Sequence, residues 1–232
     1  MFRAIVFDLD HTLFDRYATI RKTFIAFYDQ YRDRIPQQLS YEEFVEKVIE
    51  IEKVYIYYGW HTVIKELANN GLMTPMTEEE IITAVHEVVV DKCWALAAVK
   101  LPFTIPTLNK LRRMGYKIGL ITNGGHNPQT LKLKMLELED MFDAVVISGD
   151  VGVHKPNPEP FMVLAEKIGI DPSEMMYVGD HPLNDVEGSR RAGYTPVWVR
   201  TTGNWYLPEL ERAPYEVDTV AELPELLAKI DK

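Results

Sequence analysis

The chain has 232 residues, 47% of them hydrophobic and 26% charged, a composition that suits one large globular domain or two small ones. Its 25 basic and 35 acidic side chains give a net charge of −10, which argues against the basic face of a duplex nucleic-acid binder. An anionic small molecule stays compatible, because a bound metal ion reverses the field inside a pocket.

Cys93 is the single cysteine, so an intramolecular disulfide and a cysteine-rich metal site are both excluded. It sits among Trp94, Ala95, Leu96 and Ala97 and reads as a buried, inert thiol. No basic stretch followed by an apolar one opens the sequence, and no run of about 18 apolar residues occurs. A cytoplasmic protein is therefore expected.

The first element is the short apolar run Ala4-Ile5-Val6-Phe7, which reads as a buried strand. It runs into Asp8-Leu9-Asp10-His11-Thr12. Aspartate is a poor strand residue, and parallel α/β proteins bind ligands beyond the carboxyl ends of their strands. Two acids two residues apart on an extended end point the same way, about 7 Å apart. That spacing suits one divalent cation, or one nucleophile beside one acid–base group. Asp and Thr also cap turns and helices, so the segment alone leaves a plain turn open.

From residue 15 to residue 100 the periodicity is helical. Ile20, Thr23, Phe24, Phe27, Tyr28 and Tyr31 recur at three and four, and so do Phe44, Val45, Val48, Ile49 and Ile51. Ser40 with Glu43, and Thr77 with Glu80, have capping-box spacing. A third helix covers residues 60–68 and ends at Asn69-Asn70-Gly71; the fourth runs through Ile81, Ile82, Val85 and Val88. Four helices without an intervening strand form a bundle. The aromatic residues Tyr55, Tyr57, Tyr58 and Trp60 read first as its core and second as a pocket lining.

Past Pro102, strand-like runs at 117–121, 144–147, 175–178 and 195–199 alternate with helices near 128–138, 158–168 and 184–192. Pro196 places the last run at a strand start or an edge. Such alternation indicates βαβ units and a parallel sheet with helices on both faces. The first strand has no local partner, so it joins this sheet, and the helical block is an insertion. The expected organisation is an α/β core of residues 1–14 and 101–232 and a helical domain of residues 15–100.

Four strand ends carry chemistry. The second core strand ends in Thr122-Asn123-Gly124-Gly125, a hydroxyl followed by flexible backbone. The third leads to Lys155 and the fourth to Gly179-Asp180, with Asp185 close behind. Each has an ordinary reading as a turn, a surface lysine or a helix-start acid. Together they converge. Several carboxylates in one crevice repel one another unless a cation is present, and oxygen ligands without a His or Cys cluster favour Mg²⁺ over zinc. Lys155, Thr122 and loop amides then suit a phosphate.

The order of these motifs resembles the haloacid dehalogenase superfamily over most of the chain, from the first strand to Val199. Asp8-Leu9-Asp10-His11-Thr12 is similar to its D-x-D-x-T motif, Thr122 to its second-motif Ser/Thr, Lys155 to its third-motif Lys, and Gly179-Asp180 with Asp185 to its acidic fourth motif. The resemblance implies a Rossmann-like core with an inserted helical cap that gates the site. It implies that Asp8 attacks phosphorus and that Asp10 protonates the leaving oxygen and then activates water. Thr122, Lys155 and the amide of Asn123 would bind the phosphoryl group. Mg²⁺ would be held by Asp8, Asp180, Asp185 and the backbone carbonyl of Asp10, and Thr12 would order the loop.

The namesake dehalogenases lack an acid at the position of Asp10, so an Mg²⁺-dependent phosphatase is expected. A sugar-phosphate mutase with the same nucleophile and a non-catalytic phosphate-binding regulator are the alternatives. The expected partner is a small phosphorylated metabolite, with no nucleic acid and no membrane, for a monomer or homodimer. Arg16 and His126 are candidate leaving-group contacts.

Overall fold

The computed structural model describes residues 1–55, 58–87, 95–202, 205 and 207–230. Tyr57, Val88, Cys93 and Trp94 lie outside them, so the readings placed on those side chains concern residues that are not described. Two compact units are formed, one of Met1–Asp15 with Lys100–Lys232 and one of Arg16–Val99.

The first unit is built on a parallel sheet. Its strands are β1 (Ala4–Phe7), β2 (Lys117–Thr122), β3 (Ala144–Ile147), β4 (Met175–Gly179), β5 (Thr195–Val199) and β6 (Tyr215–Val217). They lie in the order β3-β2-β1-β4-β5-β6, every pair parallel. β1 is thus central, with Phe7 in register with Leu120 of β2 and Val178 of β4. Its four residues are all fully buried. Because side chains alternate along a strand, both faces of the sheet must be covered there. One of them is visible in detail: Ala4 and Val6 pack with Val146, Tyr177, Phe161 and Leu164.

The connecting helices are α5 (Thr104–Arg113), α6 (His126–Met135), α7 (Ser148–Val151), α8 (Glu159–Ile168), α9 (Gly188–Arg191) and α10 (Leu223–Ile230). One of the sequence readings needs correction here. The helix expected at residues 184–192 is a π-helical turn, Pro182–Glu187, continued by the short α9. Wide turns of this kind occur at functional sites. Of the two positions open to Pro196, the strand start holds: β5 begins at Thr195, and β6 lies outside it. β6 pairs only with Val197–Val199, so it begins past the residue that lacks an N–H.

The second unit contains α1 (Arg16–Gln30), α2 (Tyr41–Tyr55), α3 (Gly59–Asn69) and α4 (Glu78–Ala84). Both capping boxes form. The Glu43 carboxylate accepts from the Ser40 amide at 3.0 Å, and Thr77 and Glu80 make the reciprocal pair at the start of α4. Aromatic side chains join the helices: Phe24 lies 5.3 Å from Trp60, and Phe27 stacks on Phe44 at 6.3 Å. Trp60 is therefore packed against the helices and half-buried, whereas Tyr58 is 70% exposed. Arg16 does not stand open for a ligand. It pairs with the buried Glu52 at 2.7 Å and lies over the Trp60 ring.

Candidate active site

The residues of the four motifs belong to the first unit, at or just beyond the carboxyl ends of β1, β2 and β4 and in the loop after α7, whereas Arg16 belongs to the second. The neighbouring strands end in register, which brings their following residues to one rim. The rim is built from short loops, and each loop has a local reason for its shape.

After Phe7 the chain does not stay extended. The Leu9 carbonyl accepts the Leu13 amide at 3.0 Å, and His11 takes a left-handed conformation at φ 62°. This tight turn separates the two acids that an extended strand end would have aligned. Asp8 points to Lys155, and Asp10 points to Lys132. The Thr12 hydroxyl has no hydrogen-bond partner among the described residues, so backbone bonds rather than this side chain shape the turn.

Lys155 is the centre of the arrangement. Its Nζ donates to Asp8 Oδ1 at 2.6 Å, to Asp185 Oδ1 at 2.7 Å and to the Tyr177 hydroxyl at 2.7 Å. Only 4% of Lys155 is exposed. Its approach is set by Asn123, whose side chain accepts the Lys155 amide at 2.9 Å and donates to the Lys155 carbonyl at 3.1 Å. Asn123 thus locks the loop after β2 to the loop that carries the lysine.

Asp8, Asp180 and Asp185 are all buried, and each offers a carboxylate oxygen within 4.8 Å of the others. The approach of Asp185 requires Gly179, where an added Cβ would sit 2.5 Å from the Asp185 carboxyl carbon. Asp10 contributes no carboxylate to this cluster; its two oxygens are held by Lys132 at 2.9 and 2.8 Å.

The electrostatics follow from burial. Desolvation lifts the Asp8 carboxyl to about 7, with Asp185 and Asp10 adding to the rise and Lys155 opposing it. Burial works to lower the Lys155 ammonium, but Asp185 and Asp8 outweigh it and hold the group above the usual lysine range. His181 is pushed down to about 4 by burial, with Lys155 adding to the fall and Asp185 opposing it. Its Nδ1 accepts the amides of Leu183 and Asn184, a role that needs the neutral ring.

Three carboxylates converge here, and the Lys155 ammonium bonds two of them, Asp8 and Asp185. A buried, all-oxygen donor set of this kind fits a hard divalent cation.

Of the other candidates, Thr122 is buried beneath the rim and touches Gln129. His126 is mostly exposed and pairs with Asp150 at 3.0 Å rather than with any of the acids of the rim. The structure adds three residues that the motif reading missed: Tyr177, Gln129 and Lys132. Gln129 and Lys132 are three apart on a helix that follows a motif directly, a spacing that puts them on one face.

A family model described as haloacid dehalogenase-like hydrolase matches residues 5–199. A glyceraldehyde 3-phosphate phosphatase from Methanopyrus kandleri is 30% identical, with all of both chains aligned. Among solved structures, a HAD phosphatase from Thermococcus onnurineus superposes with a TM-score of 0.62 at 29% identity, covering 97% of each chain. A 2-haloacid dehalogenase from Pseudomonas syringae pv. Tomato DC3000 also gives 0.62, at 25% identity, covering 99% of this chain and 100% of that one.

Proposed function

This chain belongs to the haloacid dehalogenase-like hydrolase family, and from that premise we propose that it is an Mg²⁺-dependent phosphatase acting on a small phosphomonoester. Its similar proteins include both a phosphatase and a dehalogenase, so the side chains must decide between the two. One observation carries the choice: an acid group, Asp10, lies near enough to the nucleophile candidate to raise its carboxyl, yet stays outside the buried carboxylate cluster. A halide leaves without a proton, whereas an alkoxide needs one. The full-length similarity to a glyceraldehyde 3-phosphate phosphatase supports a small phosphorylated metabolite as substrate.

In this reading Asp8 attacks phosphorus, the ester P–O bond breaks, and Asp10 delivers a proton to the departing oxygen. Water then attacks the aspartyl-phosphate, Asp10 takes its proton, and inorganic phosphate leaves with Asp8 restored. Lys155 and Thr122, with the amide of Asn123, bind the transferring phosphoryl oxygens, where the protein's contribution is position and charge. Asp8, Asp180, Asp185 and the Asp10 carbonyl would hold Mg²⁺, which supplies charge neutralisation for the phosphoryl group.

The test is a panel of phosphorylated metabolites assayed for phosphate release. EDTA is expected to abolish turnover and Mg²⁺ to restore it, with Ca²⁺ a poor substitute because its coordination is larger and looser. Full activity in EDTA, or halide release from a 2-haloacid without phosphate release, overturns the reading.

Asp10→Asn removes the proton donor while leaving the attacking carboxylate. Its kcat/KM is expected to fall roughly 10²–10⁴-fold on alkyl phosphates. The fall should be smaller on aryl phosphates, whose leaving oxygens need less help. Equal losses on the two classes would count against the leaving-group role.

A further inference from the structure

Gln129 and Lys132 are each only 3% exposed, although both are polar and α6 lies at the surface on its other faces. Burying an ammonium on a surface helix gains nothing for the helix itself. Lys132 is bought into this position by its partners: both oxygens of Asp10, at 2.9 and 2.8 Å, and the Phe14 ring, 5.2 Å away. A two-oxygen grip leaves the carboxylate little freedom to rotate.

Gln129 Nε2 reaches Asp10 Oδ2 at 3.3 Å and the Asn123 carbonyl at 2.9 Å, and makes a shorter contact with Thr122 Oγ1. A carboxylate and a carbonyl only accept, so the amide must present its NH₂ side to them. The Thr122 oxygen therefore accepts as well, and its own hydrogen is left to donate elsewhere. Gly124 makes the approach possible. It has φ 142°, and an added Cβ would come within 3.0 Å of Gln129 Cγ.

We propose that Lys132 and Gln129 are positioning residues for the reaction. Lys132 fixes the orientation of the Asp10 carboxyl group, which takes a proton from solvent before handing it to the leaving oxygen, and Gln129 orients the Thr122 hydroxyl as a donor to the phosphoryl group. One face of α6 thereby sets both the leaving-group and the phosphoryl contacts. The inference rests on the roles given above to Asp10 and Thr122.

The experiment uses the full chain with Mg²⁺ and two substrates, nitrophenyl phosphate and glycerol phosphate, each read as kcat/KM. Lys132→Met is expected to lower the value for glycerol phosphate roughly 10²-fold and to lower that for nitrophenyl phosphate much less. Lys132→Arg should recover much of the loss, and Lys132→Gln replaces the Met variant if that does not fold. In an Asp10→Asn background, Lys132→Met should cost little more, because the group it positions is gone. Gln129→Leu should weaken inhibition by inorganic phosphate by about tenfold or more, the scale of one hydrogen bond to an anion.

An unchanged substrate ratio in Lys132→Met, or full additivity with Asp10→Asn, overturns the role of Lys132. Unchanged phosphate inhibition in Gln129→Leu overturns that of Gln129. A wild-type protein that hydrolyses neither ester rejects the phosphatase reading itself, a result distinct from either of these.

Discussion

Asp8→Asn is expected to lose turnover by a factor on the order of 10⁴ or more, the scale seen when a covalent nucleophile is removed from an assembled site. The substitution keeps size and shape, and the amide still accepts from Lys155. The fold should therefore persist, and stability should change in a defined way. Burial lifts the Asp8 carboxyl from 3.8 to about 7, so between those pH values the folded protein holds a proton that the unfolded chain has released. Stability contributed by this group is then lost as pH rises from about 4 to about 7. Metal-free wild type should show that decline, and metal-free Asp8→Asn should lack it. The measurements are phosphate release with Mg²⁺, and denaturant unfolding in EDTA across that pH range. Near-wild-type turnover in folded Asn variant would reject Asp8 as nucleophile.

Lys155→Met should be the most destabilising single change at the rim. The ammonium donates to two buried carboxylates and a buried phenol, and Met replaces it with a side chain of similar length and no charge. Removing one side of a buried ion pair costs about 3–5 kcal/mol, because the remaining charge is left without compensation. Here two carboxylates are stranded, and Asp180 stands beside them. Unfolding in EDTA should show that loss, and added Mg²⁺ should recover part of it by supplying positive charge to the same oxygens. A Met variant as stable as wild type in EDTA would mean that the carboxylates are neutralised by something other than Lys155.

The parallel sheet and the strand ends were legible in the sequence because their signals are local. Val145-Val146-Ile147 and Met175-Met176-Tyr177-Val178 are continuous apolar runs, and a buried parallel strand produces such runs. The family resemblance rested on Asp8, Thr122, Lys155 and Asp180, which stand at or soon after such runs. What escaped notice depends on distant partners. Tyr177 looks like any core aromatic on β4, and only the fold sets its hydroxyl against Lys155. Lys132 looks like a solvated helix lysine until Asp10, 122 residues earlier, is folded against it. The direction of Asp10 was misread for a related reason: the turn at His11 was invisible to an argument that continued the strand by its period of two. The short β6 and the π-helical turn lack the length that periodicity needs.

The central place of β1 sets a constraint on the order in which the molecule can be made. Both neighbours of this strand lie beyond residue 115 in the chain, whereas a ribosome delivers Ala4–Phe7 first. Until Lys117–Thr122 has emerged, a wholly apolar segment has no edge to pair with, and it must wait while the whole of Arg16–Val99 is synthesised. A long closure of this kind adds only slowly to the entropic cost but slows the search. Early folding of the intervening helices would shorten the effective tether. Variants that unfold those helices should therefore reduce the yield of correctly assembled sheet during synthesis, even where none of their side chains belongs to it.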